Sequence, residues 1–214
     1  MRSNIQSSDQ GRQSFIEAAR RAQIIECAID AIAELGFAQA SLAQIAKRAG
    51  VSTGVISYYF AGKDDLIRAV AAHVYAVGEE HIDPMVSRES GLRVALRGFI
   101  EASVDFIAAK PRYPTAVMNI IRAGRIDGGK PRFDPAVGEA RRIGFNNILS
   151  RGQELGEFRR FNVDVMTTTI IEALDVIPQQ VVENPDLDLK AYAHELVTLF
   201  DLATRHPNLS ISGD

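Results

Sequence analysis

Hydroxyl-bearing and small residues are concentrated in one eight-residue run near the front of this sequence. The run is Ser52-Thr53-Gly54-Val55-Ile56-Ser57-Tyr58-Tyr59. A helix that enters the major groove of double-stranded DNA needs such residues, because they fit the groove and hydrogen-bond to base edges and phosphates. The run therefore predicts a DNA-reading helix.

The residues before this run predict a helix-turn-helix. Ser41 and Gln44 form a capping box for a short helix, and Gly50 supplies the positive φ that ends it. Ser52 can cap the following helix, which would extend to Phe60. Two short helices joined by a tight turn are the expected result.

Two small apolar residues support the same motif. Ala46 leaves room for two helices to approach closely, and Val51 is expected to be buried in a three-helix core. The pattern alone leaves one alternative open: a three-helix packing unit without DNA binding, in which Tyr58 and Tyr59 are simply half-buried. We keep both interpretations at this point.

The residue types give little support for catalysis. The four histidines lack both the metal-binding pair at i, i+4 and the partners of a catalytic triad. Glu79, Glu80, His81 and Asp83 are neighbours on one helix and point in different directions, which indicates a solvated helix end. Cys27 is the only cysteine, so no intrachain disulfide forms. We expect no catalytic residue, no metal and no cofactor.

The elements that position these residues are predicted to be helices. Apolar residues recur at three- and four-residue steps almost throughout, which predicts an all-α fold of about nine helices. Ser14 with Glu17 is predicted to cap the first helix, and Gly36 to end it. Stop signals give five parts: a flexible tail over 1–13, a DNA-binding domain over 14–63, a linking helix over 64–83, a ligand-binding and dimerisation domain over 84–206, and a tail over 207–214.

Composition and charge fit a soluble DNA-binding protein. Of the 214 residues, 46% are hydrophobic and 24% charged, which is ordinary for a globular chain. No apolar run is long enough to span a membrane, and we expect a cytoplasmic protein. Residues 1–63 carry a formal charge of +2 and residues 64–214 one of −5, so a basic front precedes an acidic body.

Residues 20–75 resemble the TetR family of transcriptional regulators. The similarity lies in Ser41-Leu42-Ala43-Gln44-Ile45-Ala46-Lys47-Arg48-Ala49-Gly50-Val51-Ser52 and continues through Thr53-Gly54-Val55-Ile56-Ser57-Tyr58-Tyr59-Phe60 to Leu66. The resemblance implies an N-terminal helix-turn-helix domain and a C-terminal helical domain that binds a ligand and dimerises. It also implies a repressor that a small-molecule effector releases from its operator. The alternative is an all-helical enzyme or partner-binding bundle with a non-DNA-binding front.

The resemblance also assigns DNA contacts to positions of this chain. Ser41 matches a capping hydroxyl that meets a phosphate, and Lys63 matches a phosphate-binding lysine at the start of the next helix. Two positions depart from the family: Ser57 replaces a common tyrosine and Tyr59 replaces a histidine. The remaining matched positions on the recognition helix are Ser52, Thr53, Gly54, Val55 and Tyr58.

Three arginines near the first helix are further candidates for DNA contact. Arg12, Arg20 and Arg21 precede or open that helix. In relatives a basic N-terminal arm reaches the minor groove, which would give these residues the same role. A solvated charged helix face is the other interpretation.

The resemblance implies a homodimer on palindromic operator DNA. The helices predicted over about 163–183 and 188–205 would pair with their twofold mates in a four-helix bundle. Polar residues among apolar ones on the middle helices are the candidates for contacts to an effector: Tyr113, Asn119, Arg122, Asn146, Asn147 and Glu172.

Overall fold

A computed structural model describes residues 3–86, 91–124 and 138–206 of the chain. Within these ranges there is no strand, and the all-α prediction is confirmed. None of the helices in the same ranges is long and apolar enough to cross a membrane. The helices are α1 (Ser3–Gln39), α2 (Leu42–Ala49), α3 (Thr53–Tyr59), α4 (Lys63–Ile82), α5 (Leu92–Ala109), α6 (Arg112–Arg122), α7 (Glu139–Glu154), α8 (Val163–Asp175), α9 (Ile177–Glu183) and α10 (Leu189–Thr204).

The chain folds as two compact units. The first unit comprises Met1–His73 and Asn119–Asp134, and the second comprises Val74–Met118 and Pro135–Asp214. The division falls inside α4, which runs without a break and supplies residues to both units. The predicted domain boundaries after residues 63 and 83 stay predictions.

Helix α1 begins earlier than the sequence suggests. It starts at Ser3, which corrects the predicted cap at Ser14; the flexible tail over 1–13 stays a prediction. The helix continues through Ser14 and Glu17, so these residues do not cap its start. Gly36 does interrupt the helix, with φ 76°, a conformation that glycine adopts without the steric penalty of a Cβ atom.

The first three helices share one apolar core. Buried residues of α1 include Ile24, Ile25, Ala28, Ile29 and Ile32, and they are joined by Ile45 and Ala46 of α2, Ile56 of α3 and Phe60. Each fully buried aliphatic side chain of this size stabilises the fold by about 1.5–3 kcal/mol. Val51 is only half-buried, which corrects the prediction that it enters the core.

The second unit has its own core, to which α5, α7, α8 and α10 contribute. Phe99 of α5 and Phe145 of α7 stack with ring centroids 4.2 Å apart, and Phe145 is fully buried. The helix predicted over 163–183 is two helices, since α8 ends at Asp175 and α9 starts at Ile177. Pro178 lies in the first turn of α9; it lacks an N–H group and cannot continue the preceding helix.

Some sequence predictions lie outside the described residues. One of these is the tail over 207–214. The described part of α7 begins at Glu139.

Candidate DNA-binding surface and ligand cavity

Helix α3 is positioned by caps that the sequence predicts correctly. The Ser41 hydroxyl accepts a hydrogen bond from the Gln44 amide at 3.2 Å and begins α2. Gly50 ends α2 in the left-handed conformation, with φ 66° and ψ 32°. The Ser52 hydroxyl then accepts from the Val55 amide at 3.3 Å. Local side-chain chemistry therefore fixes where α3 starts.

One face of α3 is exposed and polar. Thr53, Gly54, Ser57 and Tyr58 are exposed, and their spacing places all four on the same side of the helix. Tyr58 leaves 72% of its surface accessible, which is unusual for a large aromatic residue. The opposite side carries Ile56, fully buried in the core. The structure therefore brings four of the predicted DNA contacts together on one surface.

Two other predicted contacts on α3 are less accessible. Val55 and Tyr59 are half-buried, and the Tyr59 ring packs edge-on against Tyr58 with centroids 5.0 Å apart. The Ser57 hydroxyl donates to the Thr53 carbonyl at 3.1 Å, so its remaining capacity is that of an acceptor. The Ser57 hydroxyl can therefore accept a hydrogen bond from a donor group of a base, but it has no proton left to donate to a phosphate oxygen.

Lys63 makes contacts within the protein, and its role as a phosphate contact stays a prediction. Its Nζ atom donates to the Phe37 carbonyl oxygen at 2.8 Å and lies 4.3 Å from the centroid of the Phe37 ring. The same region is reinforced by Asp65, which accepts from the Ala61 amide at 3.0 Å. That backbone hydrogen bond lowers the pKa of Asp65 below its ordinary value, with a smaller contribution from Arg68. Lys63 thus ties the start of α4 to the loop after Gly36.

A Lys63→Ala variant distinguishes a phosphate contact from this structural role. Loss of a charged hydrogen bond to Phe37 is expected to lower the free energy of unfolding by about 1.5–3 kcal/mol. Loss of a phosphate contact would instead lower the slope of log affinity against log salt by about one unit. We expect the stability change, measured by urea denaturation, to dominate. An unchanged unfolding curve with a reduced salt slope would show that Lys63 acts on DNA.

The arginines of the first unit make contacts within the protein. Arg48 forms an ion pair with Glu34 and lies 3.8 Å from Asp30, while Arg21 stacks on the Phe60 ring at 5.0 Å. Arg20 donates to the Gln23 side chain at 2.7 Å. Arg20 and Arg21 are exposed, and the DNA contacts assigned to them and to Arg12 stay predictions. The Arg12 side chain lies outside the described residues.

A cavity of about 430 Å³ lies within the second unit. Its volume is in the range of small-molecule sites, about 300–1,000 Å³. The walls are mainly apolar, and the rings of Tyr75, Phe99 and Phe106 line it. Polar groups on the walls come from residues distant in sequence: Glu79, Asp83, Ser103, Arg141, Asn147 and Asp175.

The cavity wall contains an ion pair and a partly buried tyrosine. Arg141 Nη1 donates to Asp175 Oδ1 at 2.6 Å, and both side chains are largely shielded from solvent. Burial raises the pKa of Tyr75, and the nearby Asp175 adds to that shift. Tyr75 is therefore neutral and can take part in hydrogen bonds. The opposite charges of Arg141 and Asp175 cancel each other.

Of the six predicted ligand contacts, one lines the cavity. That residue is Asn147. Asn119 lies in the first unit and donates to the Ile32 carbonyl at 3.0 Å, and Asn146 accepts from Thr167 at 2.5 Å. Both asparagines are thus structural hydrogen-bonding groups. The other three predicted residues, Tyr113, Arg122 and Glu172, are not among the cavity lining.

Sequence reasoning missed the aromatic and acidic lining. Glu79 and Asp83 had been assigned to a solvated helix end, and both are exposed, but they border the cavity. Tyr75, Glu79 and Asp83 share a four-residue spacing near the end of α4. That spacing places them on one helix face. It is the sequence pattern from which a shared site could have been predicted.

Exposed apolar residues occur on α8 and α10. Leu199 and Leu202 leave 57% and 53% of their surfaces accessible, and Val165 of α8 leaves 63%. On α10 these leucines continue an exposed stripe that includes Ala191, His194, Glu195 and Thr198. Contiguous exposed apolar residues are unusual on a monomeric protein, and they often mark a surface that contacts another molecule.

Residues 24–70 match the family model described as bacterial regulatory proteins, tetR family. The chain is 37% identical over 102 residues to the HTH-type transcriptional regulator BetI of Escherichia coli strain K12, and to that of strain O139:H28. The alignment covers 44% of this chain and 52% of BetI. The chain thus spans about half the length of the curated relatives it matches. These relatives are described as regulators of transcription, and not as enzymes.

Solved structures share the fold over most of the chain. FadR from Bacillus halodurans superposes with a TM-score of 0.74 at 23% identity, covering 84% of this chain and 97% of FadR. FadR from Bacillus subtilis in complex with stearoyl-CoA gives a TM-score of 0.74 at 22% identity, covering 83% and 96%. At these sequence identities the similarity establishes a common fold. It does not show that this chain binds the same ligand.

Proposed function

We propose, from the match of residues 24–70 to the tetR-family model and the similarity to BetI, that this chain is a TetR-family repressor that binds operator DNA and is released by a small-molecule effector. The observation that carries the proposal is the exposed polar face of α3. Thr53, Gly54, Ser57 and Tyr58 form a narrow surface on a capped helix, and a major groove about 12 Å wide admits such a helix. We further propose that the protein acts in the cytoplasm, where the chromosome is accessible.

We propose that two copies bind a palindromic operator as a twofold homodimer. A recognition helix of seven residues reads too few bases for useful specificity, so a second copy is needed. The exposed apolar stripe on α10, with Val165 of α8, is the surface that we assign to the dimer. Twofold symmetry places the same patch on both sides of such an interface.

The experiment is a binding titration with DNA that flanks the gene of this protein. We expect fluorescence anisotropy to give saturable binding, and footprinting to give two protected half-sites with centres about one turn, roughly 34 Å, or a multiple of it apart. Analytical ultracentrifugation should give a dimer both alone and on DNA. A monomer in both states, or binding equal to that of random DNA, would overturn the proposal.

The cavity is the site that we assign to the effector. Helix α4 is uninterrupted from Lys63 to Ile82: it begins three residues after the recognition helix ends, and its last turns line the cavity. A ligand that displaces these last turns would therefore act on an element covalently continuous with the DNA-binding unit. The FadR neighbour from Bacillus subtilis, solved with stearoyl-CoA, supports a small organic effector in general.

Effector and operator are expected to weaken each other equally. A coupling of about 1–3 kcal/mol would lower operator affinity about 5- to 150-fold, and linkage requires the same factor for the effector. Calorimetric titration of an effector into the protein, with and without saturating operator, measures this factor directly. Equal effector affinities in the two titrations would contradict release by this mechanism.

A further inference from the structure

The acidic residues at the cavity distinguish it from a site for anions. Three carboxylates and one guanidinium line it, those of Glu79, Asp83, Asp175 and Arg141, so its formal charge is −2. Arg141 is already paired with Asp175 at 2.6 Å. The guanidinium of Arg141 therefore has an internal partner and is a poor receptor for a carboxylate or phosphate from outside.

The remaining negative charge belongs to Glu79 and Asp83. These residues are four apart in the sequence, at the end of α4 and the start of the following 3-10 turn. Across the described part of the chain, no basic side chain lies within ion-pair distance of either carboxylate. Like charges one helical turn apart repel each other, and a bound cation would remove that repulsion.

Aromatic rings complete the environment for a cation. Tyr75, Phe99 and Phe106 line the same cavity as the two carboxylates, and the faces of aromatic rings attract organic cations. Apart from the polar groups of Ser103 and Asn147, the rest of the wall is mainly aliphatic and includes Val74, Ile82 and Ile107. This combination suits a molecule with an apolar body and one positive head group.

We propose that the cavity binds amphipathic organic cations, with the head group between Glu79 and Asp83 and the apolar body against Phe99 and Phe106. This inference rests on the proposed function only in identifying the ligand as the effector. The binding itself is a property of the second unit, since every lining residue belongs to it.

The test compares three ligands with one tail and different heads: octyltrimethylammonium, octanol and octanoate. Calorimetric titration of the full-length protein, below the micelle-forming concentration of each ligand, is expected to rank affinity in that order. Stearoyl-CoA is included as a large anionic ligand and is expected to bind more weakly than octyltrimethylammonium. Tighter binding of octanoate or stearoyl-CoA, or no binding of the cation, would overturn the proposal.

Variants then locate the head group. The double variant Glu79→Gln/Asp83→Asn is expected to weaken octyltrimethylammonium binding by about five- to tenfold and to leave octanol binding unchanged. Glu80→Gln is the matched control, because Glu80 lies on the same helix but is not part of the cavity lining. An unchanged preference for the cation in the double variant would also overturn the assignment.

A separate titration with operator DNA distinguishes the two proposals. Operator binding without cation binding would overturn the ligand class alone. The opposite result is cation binding that the Glu79/Asp83 double variant weakens, in a protein that does not bind operator DNA. That result would overturn the repressor function and would support the proposed ligand class.

Discussion

Replacement of Gly54 by glutamate is expected to lower operator affinity on the order of 100-fold. Gly54 is exposed on the face of α3 that we assign to base edges. Glutamate would place a bulky negative charge there against the phosphates, and like-charge contacts at an interface cost several kcal/mol. Fluorescence anisotropy with the operator fragment measures the loss.

Folding should be unaffected by this change, which makes the result specific. A Cβ atom at position 54 would meet only Ser52 Oγ, at an ordinary 3.6 Å. Glutamate is a better helix former than glycine by up to about 1 kcal/mol, and an acid in the first turn favours the helix dipole. Gly54→Ala is the control for side-chain bulk. Full operator affinity in the glutamate variant would mean that α3 does not enter the groove.

The double variant Leu199→Glu/Leu202→Glu is expected to dissociate the dimer. Twofold symmetry would place four added carboxylates in one interface, where uncompensated buried charge costs several kcal/mol. We therefore expect the dimer dissociation constant to rise more than about 100-fold. Analytical ultracentrifugation measures that change, and operator affinity should fall with it because the half-sites would then be bound independently.

Leu155→Glu is the matched control for added charge. Leu155 is as exposed as the other two leucines, at 63%, but it caps the end of α7 and is not part of the α10 stripe. We expect this variant to remain dimeric. Dissociation by both variants, or by neither, would mean that the stripe on α10 is not the dimer surface.

The helix-turn-helix was predictable because its determinants are local. Ser41, Gly50 and Ser52 each act within three or four residues of their own position, and each has the predicted hydrogen bond or backbone conformation. Ser14 is the exception among the local signals: its capping box is present in the sequence, but the helix continues through it from Ser3.

The cavity could not be predicted in this way, because six helices contribute to it. Residue type alone favoured Asn119 and Asn146 as ligand contacts. Buried amides are usually satisfied within the protein, and these two bond to a helix carbonyl and to a threonine hydroxyl. Two of the carboxylates that border the cavity, those of Glu79 on α4 and Asp83 in the following turn, are exposed and resemble ordinary surface residues in the sequence.

The ion pair of Arg48 with Glu34 and Asp30 bears on how a repressor of the proposed kind would select its operator. An arginine whose charge is balanced within the protein neutralises no phosphate, and a lost phosphate contact lowers the affinity for every DNA sequence alike. A genome offers about 10⁶–10⁹ competing nonspecific sites. Because these sites and the operator lose the same contact, the ratio of specific to nonspecific affinity is unchanged, and that ratio is expected to depend on the exposed residues of α3.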